Sequence, residues 1–273
     1  MGSFKAAFCQ FAVSGDILTN SKWIVSFMKE ASGKGADIVH FSECALGGYA
    51  GVDIAGFDRY DWALLDSETE KIKLLAAELG IWVVLGTNYR DQESAAVHNS
   101  LLLINEQGQV CGRYDKRFCT PGDIVHYQPG EHFTTFEFKG VKCALLICYD
   151  LRFPELYREL KKMNVECVFQ SFYNARQEEP SVHSHIMRQT MQCRAATNYF
   201  WVSMTNSCAK ISPYPCCFIQ PDGKIIAQLK DHEPDMGIQT VDTSRRFYDA
   251  SAPYRDLAIK GILSNRCEYK KQR

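Results

Sequence analysis

None of the twelve cysteines is spaced as Cys-x-x-Cys, which removes the zinc-ribbon and dithiol-redox frameworks that such pairs build. No Gly-x-Gly-x-x-Gly or Walker-type loop is present, so no familiar cradle for a cofactor phosphate exists. No apolar run approaches the length of a membrane span, and no partnership with a membrane is expected. Charge of one sign is not in excess: 31 Lys and Arg face 32 Asp and Glu, a formal net charge of -1. Such a balance gives no electrostatic footprint for nucleic acid. Linkers, low-complexity tracts and long charge runs are also missing, so residues 1–273 are expected to form one domain.

What remains is an ordinary soluble globular balance, with 46% hydrophobic and 23% charged residues. The amino terminus, MGSFKAAFCQFAV, has neither the apolar core nor the cleavage signal of a secretory peptide. It reads as a first strand, and a cytoplasmic setting with reduced, mostly buried thiols is expected. His183 and His185 hold a metal only if a third ligand arrives from elsewhere; the expectation is no metal.

Periodicity predicts α/β structure. Strands are expected at Phe4–Val13, Ala36–Phe41, Ile81–Tyr89, Val165–Ser171, Phe200–Thr205 and Gly237–Val241. Helices are expected at Asn20–Ala31, at Ser67–Leu79 behind a Ser67…Glu70 capping box and closed by Gly80, at Phe153–Met163, and at Ser181–Tyr199. Hairpins are expected at Val97–Tyr114, Phe133–Ile147 and Cys217–Leu229, the last across a Pro-Asp-Gly turn. Tyr254 onward reads as a carboxy-terminal arm, taken with its approach as residues 243–273. Two α/β blocks that each run into hairpins suggest two mixed sheets with helices outside.

The most informative stretch is VKCALLICYDLRFPE. An apolar strand stops at Cys148, and Pro154 suits the first turn of a helix. A thiol is thus expected at a strand-to-helix junction, where α/β sheets place chemistry and where a helix N-terminus favours the thiolate. A thiol nucleophile needs a base and an oxyanion partner. None of the seven histidines stands in a papain-like motif, so another base is needed. Glu43 ends a strand, and its carboxyl, if buried there, exchanges a proton with a thiol. Lys116 follows a hairpin strand and supplies a positive charge.

Taken together, Glu43 in VHFSECALGGY, Lys116 in YDKRFCTPGD and Cys148 in LLICYDLRFPE resemble the Glu-Lys-Cys triad of the nitrilase, or carbon-nitrogen hydrolase, superfamily. Gln10, Asn99-Ser100, Pro129-Gly130, Arg194–Asn198 and the Pro-Asp-Gly hairpin extend the resemblance over roughly residues 4 to 242. The resemblance implies a four-layer αββα sandwich, pairing into homodimers or larger homo-oligomers, with no cofactor. It implies Cys148 as nucleophile, Glu43 as general base, Lys116 beside the tetrahedral intermediate and the Tyr149 N–H in the oxyanion site. A second acid, used by many members, falls on Asp123 or Glu131, with Asp123 preferred.

Nitrilases of that superfamily typically have Trp-Glu after the nucleophile; with Tyr149-Asp150 after Cys148, the resemblance implies a small amide or N-carbamoyl substrate over a nitrile. Acyl transfer with the same triad, or nitrile hydrolysis, is the alternative. Tyr49, Phe172, Asn174 and Arg176 are candidates for the substrate pocket, Arg176 as a clamp for a carboxylate.

Overall fold

The computed structural model describes residues 1–174 and 185–265. Their elements follow the predicted order, with one helix added at the end. Strand β1 (Ser3–Gln10) leads to α1 (Ile17–Gly33), β2 (Ile38–His40), α2 (Trp62–Leu79) and β3 (Trp82–Arg90). Five strands in a row include β3 and continue through β4 (Val97–Ile104), β5 (Val110–Asp115), β6 (Thr135–Phe138) and β7 (Val141–Ile147). Then come α3 (Pro154–Lys162), β8 (Cys167–Ser171), α4 (Met187–Asn198), β9 (Trp201–Thr205), β10 (Cys217–Ile219), β11 (Ile225–Gln228), β12 (Asp235–Asp242) and α5 (Ala252–Ile259).

The strands form two six-stranded mixed sheets, ordered β12-β1-β2-β3-β4-β5 and β11-β10-β9-β8-β7-β6. In each, three parallel strands occupy the middle and antiparallel strands flank them. The alternation along β1 shows why the sheets stack. Phe4, Ala6 and Phe8 join a core shared with β7, β8, β9 and β10, whereas Ala7 and Cys9 face the layer of α1 and α2. Helices α3 and α4 cover the other sheet through Leu156, Tyr157, Leu160, Met191 and Ala195. Buried on both faces, the central strands are nearly continuous apolar runs. The result is the expected α/β sandwich of helix, sheet, sheet and helix. Among the described residues no helix is long and apolar enough to cross a membrane.

At α2 and at the carboxy terminus the helices differ from expectation. The α2 helix starts five residues before Ser67, because the Asp61 carboxylate accepts from the Leu64 N–H at 2.9 Å and caps it there. Ser67 and Glu70 therefore lie inside the helix, and their capping-box spacing is coincidental. Gly80 does close it, in the left-handed conformation at φ 60°. The predicted carboxy-terminal arm contains α5, which folds back: Arg255 donates to the Thr197 carbonyl at 3.2 Å and lies over the Tyr199 ring.

His40 ties the sheets together. Its Nδ1 meets Ser203 Oγ at 2.9 Å and its Nε2 meets Ser171 Oγ at 2.8 Å, with the ring wholly buried. Burial lowers its pKa from 6.5 to about 3, so the folded ring stays neutral where the unfolded one takes up a proton. Stability from this group is complete above pH 6.5 and is lost as pH falls toward 3. The loss is at most about 1.4 kcal/mol per pH unit for one proton. Urea unfolding at stepped pH should show a shallower acid limb for His40→Gln than for wild type; equal slopes would contradict the assignment.

Candidate active site

The site lies where strand carboxyl ends of both sheets meet. Glu43 follows β2, Lys116 follows β5 and Cys148 follows β7. Close backbone approaches set two of them. A Cβ on Gly86 would sit 2.0 Å from the Ser42 carbonyl oxygen, so only glycine lets β3 pack against the Glu43 turn. A Cβ on Gly130 would lie 2.4 Å from the Asp115 carbonyl oxygen, and the Gly130 N–H donates to the Lys116 carbonyl at 2.9 Å.

The Lys116 ammonium is fully buried and all three of its N–H groups are spent. It donates to Glu43 Oε1 at 2.8 Å, to Asp123 Oδ2 at 2.8 Å and to the Tyr49 hydroxyl at 3.3 Å. One cation thus serves two buried carboxylates, and the two divide unequally. Asp123 also accepts from the Thr120 N–H at 2.8 Å and from the Tyr49 hydroxyl. Burial works against its charge, but Lys116 and these donors hold its pKa below the ordinary value. Glu43 has less help. Its Oε1 takes Lys116 and the Asn99 amide at 2.7 Å, while its buried Oε2 has no hydrogen-bond partner among the described residues. Burial therefore lifts its pKa despite the pull of Lys116, and Asp123 adds to the rise. For Lys116, burial acts downward, but Glu43, Tyr49, Cys148 and Asp123 together raise its pKa well above the usual ammonium value.

Cys148 departs from expectation in one respect. It adopts φ 39° and opens a short 3-10 turn, Cys148–Arg152; the α3 helix begins only at Pro154. The α3 N-terminus is therefore set back from the sulfur by the length of that turn. Burial pushes the Cys148 thiol well above its ordinary pKa, Glu43 pushes it further, and Lys116 with the Tyr173 N–H oppose only in part. This balance favours the thiol over the thiolate at rest, although part of the residue's surface stays exposed. Asp150 fixes the turn, accepting from the Ile147 N–H at 3.0 Å, the Tyr114 hydroxyl at 2.7 Å and the Phe118 N–H at 3.0 Å.

The other candidates sort by position. Asp123 joins Lys116, whereas Glu131 lies exposed on the loop beyond and is outside the group. Tyr49 is part of the charge network itself rather than simply a pocket wall. Phe172 is a core residue, buried edge-on against Tyr214, and its carbonyl accepts from the Glu43 N–H at 3.2 Å. Asn174 reaches the site, with Nδ2 at 4.0 Å from Cys148 Sγ. Tyr149 follows the sulfur directly and is half-buried. Arg176 and His183 lie outside the described residues. Sequence reasoning missed Asn206 and Tyr214, which hold Asn174. The same strand-end rule that selected Cys148 also applies to Asn206, immediately after β9.

A family model described as carbon-nitrogen hydrolase matches residues 5–247. Omega-amidase NIT2 of Homo sapiens is 28% identical over 165 residues, 57% of this chain and 58% of that enzyme. The chain thus spans under two thirds of that relative's length. N-carbamoylputrescine amidase of Arabidopsis thaliana is 28% identical over 243 residues, covering 81% of each chain. Among solved structures, a mutant of an amidase of the nitrilase superfamily from Nesterenkonia AN1 superposes with a TM-score of 0.77 at 19% identity, covering 100% of this chain and 98% of that one. That likeness is one of fold.

Removing the central cation would strand two buried carboxylates. Lys116→Met should lower the unfolding free energy by about 3–5 kcal/mol, the cost of breaking a buried ion pair from one side. Adding Glu43→Gln and Asp123→Asn should restore much of it. Urea titration checks both, and a Lys116→Met protein of wild-type stability would contradict the network.

Proposed function

The chain belongs to the carbon-nitrogen hydrolase family, and on that premise we propose that it hydrolyses the C–N bond of a small amide or N-carbamoyl compound through a thioester on Cys148. The observation that carries the reading is the buried Oε2 of Glu43, which no described residue hydrogen-bonds, on a carboxyl with an elevated pKa near a thiol whose pKa is also raised. A thiol whose pKa is raised needs a base, and no described residue occupies this oxygen.

In the proposed cycle the Cys148 proton passes to Glu43 Oε2 as sulfur bonds to the substrate carbonyl carbon. The carbonyl oxygen becomes an oxyanion beside the Lys116 ammonium and the Tyr149 N–H. Because Lys116 has no spare N–H, the oxyanion replaces the longest of its three bonds, the one to Tyr49 at 3.3 Å. Tyr49 then still donates to Asp123, so the second carboxylate keeps both oxygens bonded. Glu43 returns the proton to the departing nitrogen as the C–N bond breaks, leaving a thioester and free ammonia or amine. Glu43 next takes a proton from water, whose oxygen adds to the thioester carbon. Collapse releases the acid, and the proton returns to sulfur. Asp123 acts as the second acid, anchoring Lys116 rather than moving protons, because its own charge is the better stabilised.

The N-carbamoyl variant of this reading draws on the relative that acts on N-carbamoylputrescine, and the amide variant on the omega-amidase. Arg176, in the sequence that follows β8, is the proposed contact for a carboxylate on the substrate. Pairing into homo-oligomers is proposed from the family resemblance.

Ammonia release from a panel of small amides and carbamoyl compounds tests the reading. Wild type should release ammonia from at least one member, Cys148→Ala from none, and Glu43→Gln at about 10²–10⁴-fold lower kcat, the range for losing a general base. Since Glu43 acts ionised and its pKa is raised, kcat/KM should fall with unit slope on the acid side, beginning above the ordinary glutamate range. Full turnover by Cys148→Ala would refute the mechanism.

A further inference from the structure

Three strand-end segments close a buried polar ring beside the sulfur. Asn206, at the end of β9, is wholly buried and bonds two partners at once. Its Oδ1 accepts from the Asn174 N–H at 3.0 Å, and its Nδ2 donates to the Tyr214 carbonyl at 2.9 Å. The clamp brings the segment after β8 against the 207–216 loop. There the Tyr214 hydroxyl accepts from Asn174 Nδ2, and the Tyr214 ring sits edge-on to Phe172 at 5.8 Å. Tyr214 is 2% and Asn174 9% exposed.

A carboxamide nitrogen carries two N–H groups, and Tyr214 takes one. The other is directed to Cys148 Sγ, with the nitrogen at 4.0 Å. Joining strand ends does not require an amide aimed at a thiol. Enclosing so many polar atoms is costly unless each is satisfied, and a satisfied buried network fixes one geometry. Contacts of this kind are often long in a resting site and shorten when substrate is bound.

We propose that Asn174, locked by Tyr214 and clamped by Asn206, donates its second N–H to the Cys148 sulfur, aiming the thiol and stabilising its anion as the proton leaves. The proposal rests on Cys148 being the nucleophile. It assigns Asn174 to the reacting atom instead of to substrate recognition, and makes Tyr214 and Asn206 positioning residues.

The test is the rate of iodoacetamide alkylation at Cys148, located by peptide mass, across pH 5 to 10, set beside steady-state kinetics on an amide that wild type turns over. Tyr214→Phe, which loses only the hydroxyl, should slow alkylation at pH 7 by about 3–10-fold, the worth of one hydrogen bond. Asn174→Asp, which replaces the donor with a negative charge, should slow it by about 100-fold. In both, the alkylation midpoint moves to higher pH, and kcat falls in step while KM stays within about twofold of wild type. Superimposable alkylation profiles would overturn the proposal, as would a rise in KM alone, which would make Asn174 a reader of substrate. Thermal melts identify any variant that fails to fold; should Tyr214→Phe do so, Asn174→Ser and Asn174→Asp carry the comparison. Alkylation that depends on Asn174 in a wild type releasing no ammonia would keep the positioning and remove the hydrolase reading. Ammonia release with alkylation indifferent to Asn174 would do the reverse.

Discussion

A single ammonium, Lys116, buried between Glu43 and Asp123, organises this protein's site. Burying one cation with two carboxylates is costly in isolation, and the structure offsets that cost by hydrogen bonds from Asn99, Thr120 and Tyr49. The compensation is uneven in its effect. Asp123 receives enough donors to remain a firm anion, while Glu43 keeps one oxygen without a partner among the described residues and its pKa raised. The same asymmetry underlies the proposed division of roles, with Asp123 as anchor and Glu43 as base. Chemistry and stability therefore depend on one set of charges.

The sandwich brings that set to a thiol. Glu43 and Lys116 come from one sheet, and Cys148, Asn174 and Asn206 from the other. All five follow carboxyl ends of strands, so the face-to-face packing of Phe4, Ala6 and Phe8 against β7, β8, β9 and β10 sets how the two halves of the site meet. His40 adds a polar tie across the same interface, bonded to Ser171 and Ser203 at the far sheet. A shift of one sheet over the other would separate Glu43 from Cys148, and the neutral, satisfied imidazole resists it.

Much of this was legible in the residues. Alternation and helical spacing predicted the element order, because strands and helices here bury continuous faces that leave a clear period. Glu43, Lys116 and Cys148 stood out at strand ends, and Asp123 was preferred over Glu131. Local patterns failed where tertiary contacts decide. Asp61, not Ser67, caps α2, since a cap depends on where the chain enters the helix. Cys148 was expected to be activated by a helix N-terminus, yet a 3-10 turn of five residues intervenes and burial dominates the thiol. Tyr49 and Tyr214 gave no sequence signal of their roles, because each acts through partners more than 35 residues away, Asp123 and Asn174.

In the proposed chemistry the substrate's acyl carbon is transferred to Cys148 with Glu43 as the proton carrier. Intact-protein mass after brief mixing with an amide and carbamoyl panel tests that transfer most directly. A wild-type adduct equal to the substrate's acyl group, absent from Cys148→Ala and slow to form in Glu43→Gln, is the predicted result. An adduct that persists in Cys148→Ala, or ammonia release with no acyl group ever held on Cys148 under single-turnover conditions, would contradict it.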